Sequence, residues 1–339
     1  MSKHPLYRLL STFIVLTLLV QMVPVQIFAT EDETAPAITV EAAPMDKTEA
    51  ATISKDAKIL EEITDKRTEY TKQFRLSNGL NMAVVYPEAV HYDDNGQWRE
   101  IDNTLTLSDS AYVNAAGELE IALPQQFGKD DAVSITKDGH TLRFYMAEEL
   151  RSNADLTLST QEQELTVGEA TVSIAKEVKI SPSESLGAAG FPETVPKKLS
   201  SRLEYEEIYP DTDVIYDITA NQVKESIVIG SYSESLQGYR YILDTGDMTP
   251  MLSVDNTISL LAPESDEVVM VMPAPFLLDA AADYCPDVTV ELEGENGKYV
   301  LTYLLPAEWM AAEERQWPVI LDPRVSTVID VKKIKDITV

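Results

Sequence analysis

Residues 131–148, DAVSITKDGHTLRFYMAE, decide the fold class. Val133 and Ile135 alternate with polar residues, and beyond Asp138-Gly139 the residues Leu142, Phe144 and Met146 alternate in the same way. A period of two is the signature of a strand, because successive side chains leave opposite faces. An Asp-Gly step between two such runs supplies the positive φ angles of a tight hairpin turn. The stretch therefore reads as a hairpin that buries one face.

The pattern repeats outward along the chain. A second hairpin runs from Val288, Val290 and Leu292 through Gly294–Gly297 to Tyr299, Leu301, Tyr303 and Leu305. A third joins Met82–Tyr92 to Trp98–Ile101 across Asp94-Asn95-Gly96. Further strands are expected at 202–208, 213–218, 222–229, 239–243, 257–261 and 268–272. Many short strands with little helical periodicity predict an all-β fold of packed antiparallel sheets, sandwich-like in character. The exception is one short N-terminal helix, capped by Ser54, with Ile59, Leu60 and Ile63 on one face and its end near Arg67. Residues 181–200, with Pro182, Pro192 and Pro196, read as a long surface loop or as the joint between two β-rich halves.

The beginning of the chain has the three parts of an export signal. Lys3 and Arg8 precede the apolar run Phe13–Val20, Val23-Pro24 breaks it, and a cut is expected between Ala29 and Thr30. An uncleaved anchor over Leu9–Phe28 would be long enough to span a bilayer, but Gln21, Pro24 and Gln26 interrupt it. The organisation expected is thus a signal peptide at 1–29, a disordered acidic spacer at 30–53 and a β-rich module at 54–325. Residues 326–339 read as the truncated start of a following module or a frayed tail. The spacer assignment rests on its acids, Ala-Pro steps and lack of aromatics.

With 57 acidic and 27 basic residues the chain carries −30, and loss of 1–29, which removes Lys3 and Arg8 and no acid, leaves −32. That charge repels nucleic acid and anionic membrane, so membrane contact is expected only through the signal before cleavage. The single cysteine, Cys285, rules out an internal disulfide, so stability must come from a large core. Exported proteins without disulfides point to a Gram-positive source and a secreted or cell-surface location.

No catalytic constellation stands out. Asp244-Thr245-Gly246 has the form of an aspartic-protease signature in one copy, where that chemistry needs two facing carboxylates; a strand entering a turn explains it better. His91 and His140 read as turn or strand-edge residues, and no G-x-S-x-G or H-E-x-x-H motif accompanies them, so neither a catalytic triad nor a metal site is expected. Asp93-Asp94-Asn95-Gly96 matches a calcium loop for four residues only and reads as a turn. Cofactors are not expected. The acids Glu204, Glu206, Glu207, Asp211, Asp213 and Asp217 form the densest carboxylate cluster, the basis of an alternative reading as a secreted glycoside hydrolase using paired carboxylates. Tyr92, Trp98, Tyr239 and Tyr241 are the candidate rings for stacking on a sugar, against the alternative that they are core aromatics with a wet polar tip.

Four blocks carry a family resemblance. His91-Tyr-Asp-Asp-Asn-Gly-Gln-Trp-Arg-Glu-Ile-Asp-Asn-Thr-Leu105 is the first, and Tyr209-Pro-Asp-Thr-Asp-Val-Ile-Tyr216 with Val223-Lys-Glu-Ser-Ile-Val-Ile229 is the second. Met272-Pro-Ala-Pro-Phe276 with Asp279 is the third, and Trp309, Arg315-Gln-Trp-Pro-Val319 and Asp322-Pro323 close the series. Together and in this order they resemble the N-terminal region of secreted, wall-associated RHS/YD-repeat, DNRLRE-domain proteins of Gram-positive bacteria. The resemblance implies a non-enzymatic surface module for wall or glycan attachment, followed in longer relatives by DNRLRE and RHS modules, and it carries over no catalytic residue. Because the sequence ends where the next module would begin, a non-functional fragment of a longer gene is a further alternative.

Overall fold

The structure is a computed structural model that describes residues 57–126, 131–152, 170–173, 190–196, 198–265 and 267–327. The expected signal peptide with its Ala29–Thr30 cut, the expected acidic spacer and the tail from 328 onward lie outside the described residues. The fold is mostly strand, in several antiparallel sheets that include a curled half-barrel. The strands, in chain order, are β1 (Ile59–Glu62), β2 (Thr71–Leu76), β3 (Asn81–Val85), β4 (His91–Asp94), β5 (Gln97–Glu100), β6 (Asp102–Ser108), β7 (Ala111–Ala116) and β8 (Glu120–Pro124). Then follow β9 (Val133–Lys137), β10 (His140–Arg151), β11 (Ala170–Ser173), β12 (Ser201–Tyr209), β13 (Thr212–Ile218), β14 (Gln222–Ile229), β15 (Leu236–Asp244) and β16 (Thr249–Leu252). The last are β17 (Ile258–Leu261), β18 (Val268–Met272), β19 (Leu277–Leu278), β20 (Tyr284–Cys285), β21 (Thr289–Glu295), β22 (Lys298–Leu304), β23 (Val319–Leu321) and β24 (Arg324–Thr327).

The chain divides into two compact units. In the smaller, whose described residues are 57–61 and 74–82, Phe74, Leu76 and Met82 are buried and Arg75 pairs with Glu61 at 2.9 Å. The larger unit holds 62–73 and the described residues from 83 onward. It contains an eight-stranded sheet in the order β21-β22-β15-β10-β9-β8-β7-β6 and an eleven-stranded sheet built on β11-β12-β13-β14-β24-β18-β17-β16.

The three hairpin turns form where the sequence places them. Asn95, Asp138 and Asn296 have φ of 54°, 52° and 54°, and the following Gly96, Gly139 and Gly297 have 84°, 85° and 79°. Positive φ at both central residues gives the turn whose twist matches that of its strands. The first arm of the third hairpin is shorter than expected. β3 ends at Val85, and Pro87, which has no N–H to give a ladder, separates it from β4.

The expected N-terminal helix is a strand instead. Ile59–Glu62 forms β1, the outer member of a three-stranded β1-β2-β3 sheet, and only Thr64–Lys66 make a 3-10 turn. The Ile63 N–H donates to the Gln73 carbonyl at 2.7 Å, a cross-strand bond where a helix would bond four residues back. Leu60, expected on the buried face, is 62% exposed. Three apolar residues over five positions cannot separate the two periods, and so short a helix has little stability of its own.

One apolar cluster runs from Leu105 to Val325 and draws on both large sheets. Tyrosines tie the sheets together: the Tyr205 hydroxyl donates to the Pro124 carbonyl, and the Tyr241 hydroxyl to Glu225 at 3.0 Å. β10 pairs with β15, Phe144 opposite Leu243, so strands on either side of 181–200 share one sheet rather than forming separate halves. The described part of that segment is fastened down, since Asn103 donates to the Leu199 carbonyl and Tyr86 to the Thr194 carbonyl, both at 2.7 Å.

The segment at the module's expected end also changes its meaning. Residues from 326 onward are expected to begin a following module or to fray, yet β24, which includes Ser326 and Thr327, lies between β14 and β18, with Val223 opposite Val325 and Met270 opposite Thr327. Val325 is 3% exposed, so Arg324–Thr327 completes this module's core. Among the described residues no helix is long and apolar enough to cross a membrane.

Candidate functional site

The four aromatic candidates separate cleanly. Tyr239 and Tyr241 are 0% and 2% exposed, which removes them as sugar-stacking rings. They share a sheet face with Leu243, and that face packs into the core. Tyr241 makes edge-on contact with Tyr303 at 5.7 Å, and its hydroxyl reaches Glu225.

Tyr92 and Trp98 are half-buried on the two-stranded ribbon β4–β5. An open depression there is lined by Arg67, Tyr92, Gln97, Trp98, Arg99 and Glu100, with Ala116 at its side. The register pairs His91 with Glu100, Tyr92 with Arg99, and Asp93 with Trp98. Directly opposed residues share a face, so Trp98 lies on the face of His91 and Glu100 and Tyr92 on that of Arg99. The two rings therefore flank the ribbon and do not clamp a single sugar between them. The turn is closed by the Gly96 N–H donating to Asp93 at 2.6 Å, and Arg99 pairs with Asp94. Asp93 and Asp94 are thus turn and ion-pair residues.

Beneath the Trp98 face lies a charged cluster that the sequence did not reveal. Arg67 donates to both carboxylate oxygens of Glu62, at 2.7 and 3.1 Å, and to Glu100 at 3.3 Å. Lys72 pairs with Glu100 and stands 4.0 Å from Glu62. Burial pushes the Glu100 carboxyl up, and the combined pull of Lys72 and Arg67 overcomes it to hold the group below the ordinary range. His91 is 1% exposed, contrary to its reading as a strand-edge residue. Its Nδ1 lies 2.6 Å from the Thr68 carbonyl, which can only accept, so Nδ1 carries the proton. Nε2 is left as a bare lone pair with no hydrogen-bond partner, 3.9 Å from Glu62. Burial, with the charges of Arg67 and Lys72 assisting, keeps this imidazole neutral by lowering its pKa against the opposing Thr68 bond. Glu62, 29 residues upstream of His91, belongs to no spacing motif that a sequence reading could use.

The other candidates serve the architecture. Asp244 accepts the Gly246 N–H at 3.1 Å and pairs with Lys298, while buried Thr245 donates to the Met248 carbonyl at 2.8 Å. His140 sits at the hairpin turn as expected and bonds Asp247 at 3.0 Å. In the acid-rich stretch, Asp217 takes two bonds from Arg202 at 2.6 and 2.8 Å. Asp213 accepts the Glu207 N–H, and Asp211 accepts Ser231, both at 2.7 Å. Cys285 is buried, and burial raises its thiol pKa.

Three of the four blocks behind the family resemblance, the second to the fourth, meet in space. Lys224 pairs with Asp322 at 2.6 Å, and the Glu225 N–H donates to the Pro323 carbonyl at 3.0 Å. Arg315, 3% exposed, bonds Asp279 at 3.0 Å and Asp283 at 2.7 Å with its guanidinium 3.4 Å above the Trp309 ring. Tyr216 and Tyr241 both donate to Glu225, whose burial pushes its carboxyl up to about 7 against those two bonds.

No family model matches the chain. It is similar to the tRNA nuclease WapA of Bacillus subtilis (strain 168), 23% identical over 334 residues that cover 94% of this chain and 13% of the relative. The tRNA3(Ser)-specific nuclease WapA of Bacillus spizizenii is 23% identical over 342 residues, covering 96% of the chain and 13% of its own length. The chain thus spans about an eighth of the curated relatives it matches, and its similarity is to a portion of WapA.

Proposed function

We propose that this chain is a non-enzymatic, extracellular module of a wall-associated protein and that it engages a cell-wall glycan through the β4–β5 ribbon. The observation that carries the reading is the open depression at the ribbon, to whose lining Trp98, Tyr92, Gln97, Arg67 and Arg99 all contribute. A ring face for a pyranose, an amide for hydroxyls and guanidinium groups for phosphate or carboxylate are the parts that an anionic wall polymer needs. In a chain of net charge −30 this concentration of arginine offers such a polymer a local point of attachment. The similarity to a portion of WapA and the four-block resemblance support a place in a longer surface protein, preceding further modules.

The nuclease activity named for the relatives is not carried over to this segment, which spans about an eighth of their length. The hydrolase alternative loses support from the acids at 211–217, whose carboxylates hold turns and an ion pair.

Co-sedimentation of the purified chain with Gram-positive wall sacculi, intact or stripped of teichoic acid, tests the proposal. Binding should fall at least fivefold in W98A and in R99A while their circular dichroism is unchanged. Failure of the wild-type chain to sediment with either preparation would sink it, as would full binding by both variants.

A further inference from the structure

The cluster under the ribbon has the composition of a metal site, and we propose that Glu62, His91 and Glu100 bind one divalent transition ion of the zinc class. One ligand atom from each lies within 4.8 Å of the others. Three observations point to a cation of that kind. The first is His91 Nε2, which is fully buried, has no hydrogen-bond partner and is aimed at Glu62. A lone pair shut away from water without a partner is costly, and a metal ion is the partner an unprotonated imidazole nitrogen suits best.

The second is the tautomer. Nδ1–H donating to a backbone carbonyl is how metal-binding histidines are oriented and made more basic, and the Thr68 carbonyl at 2.6 Å supplies that bond. The third is the state of the two carboxylates. Arg67 and Lys72 orient both, yet each oxygen retains a second lone-pair direction, so the cations can stay as outer partners while an ion sits between the acids and the ring.

Ligand atoms around tetrahedral zinc, at roughly 2.0–2.1 Å from the ion, stand about 3.4 Å apart. The site must therefore contract by about an ångström, within reach of rotamer changes in two glutamates. Glu100 keeps half its side-chain surface exposed (51%), which provides an entry path and leaves the fourth position facing solvent. The nitrogen ligand and the two cations disfavour calcium and magnesium, which want a charged, all-oxygen shell. Arg67 and Lys72 also oppose the incoming charge and make this a weaker site than a closed structural zinc.

The inference does not require the glycan reading, because metal binding is read without any polysaccharide, even though Glu100 and Arg67 also line the depression. Its test is isothermal titration of the untagged, chelator-treated chain with Zn²⁺, with Ca²⁺ in parallel, and the visible spectrum of the Co²⁺ form. We expect one saturable zinc site, no calcium site, and cobalt bands that reveal a nitrogen ligand. E62Q and E100Q should each weaken zinc at least tenfold, H91Q should abolish the site, and H140Q should leave it unchanged. If H91Q fails to fold, the two glutamate variants decide. The proposal is overturned by the absence of saturable binding below millimolar zinc, by binding that survives in both glutamate variants, or by binding that disappears in H140Q.

Discussion

Glu225 offers the sharpest test of how the two large sheets are joined. Its carboxylate is buried between them, accepting from the Tyr216 hydroxyl of its own sheet and from the Tyr241 hydroxyl of the other. Burial disfavours the charged form and the two donors favour it, and burial wins, placing the group at about 7 against an ordinary 4.5. Below about pH 4.5 both folded and unfolded chains hold this proton, and stability does not depend on it. Between about 4.5 and 7 the folded chain keeps a proton that the unfolded chain has released, so stability falls as pH rises. Above about 7 both are ionised and the loss is complete. At about 1.4 kcal/mol per pH unit, the loss between pH 5 and pH 8 comes to about 2–3 kcal/mol.

E225Q keeps the shape and removes the titration. Urea denaturation of wild type and variant from pH 5 to pH 8 isolates the contribution as a difference between two curves, in which the other carboxylates cancel. Wild type should lose about 2–3 kcal/mol relative to E225Q over that range, with the slope levelling off near pH 7. A flat difference curve would show that the two tyrosines outweigh burial and that Glu225 is ionised in the folded protein throughout. Y241F, which removes one donor, should move the same transition to higher pH; an unchanged transition would mean that the hydroxyl does not bond the carboxylate.

The buried Arg315 holds Asp279, Asp283 and the Trp309 carbonyl at once. R315A should therefore cost about 3–5 kcal/mol by leaving Asp279 without its cation, and a loss under about 1 kcal/mol in urea denaturation would contradict this. At Gly238, φ is +159° and an added Cβ would stand 2.0 Å from the Tyr303 carbonyl oxygen, so G238A should force β15 and β22 apart. At Gly139 an added Cβ meets nothing within 4 Å, and the cost is the conformational one alone, about 1–2 kcal/mol. Thermal melts should thus rank G238A well below G139A, and equal melting temperatures would refute the close approach.

What the sequence made legible was local. Asp138-Gly139, Asn95-Gly96 and Asn296-Gly297 bring together residues only a few positions apart, and their turn chemistry determines the register by itself. Pairings that depend on the whole chain were not legible. Nothing near Phe144 announces that its partner is Leu243, and nothing near Val325 announces that β14 and β18 leave a gap for it. The misassignment of Tyr239 and Tyr241 had a visible remedy. In Tyr239-Arg-Tyr-Ile-Leu243 the two tyrosines share parity with Leu243, and Arg240 points the other way, so the face that buries the leucine buries both rings. Trp98 carries no such neighbour: Gly96 and Glu100 are its parity partners, and it stays at the surface.

The same contrast runs through the blocks that carry the resemblance. The last three blocks behind the resemblance are completed by one another, and the first by residues far along the chain outside the blocks. Lys224 needs Asp322, Glu225 N–H needs the Pro323 carbonyl, Asp279 needs Arg315, and Asn103 bridges the Leu199 and Thr219 carbonyls. Charged and amide side chains in those positions are buried, and a buried polar group is tolerated only when its partners are present and well placed. Such residues make a sequence look like a functional signature, because both a catalytic site and a buried polar joint demand particular atoms at particular points. Exposure separates the two cases. Asp279, Arg315, Asp322 and Glu225 are 1–7% exposed, and each side chain is held by a partner within the core. Trp98, Arg99 and Gln97 reach solvent on a ribbon anchored through His91 and Glu100. Exposure thus leaves Gln97, Trp98 and Arg99, which belong to the first block itself, as motif residues open to a ligand.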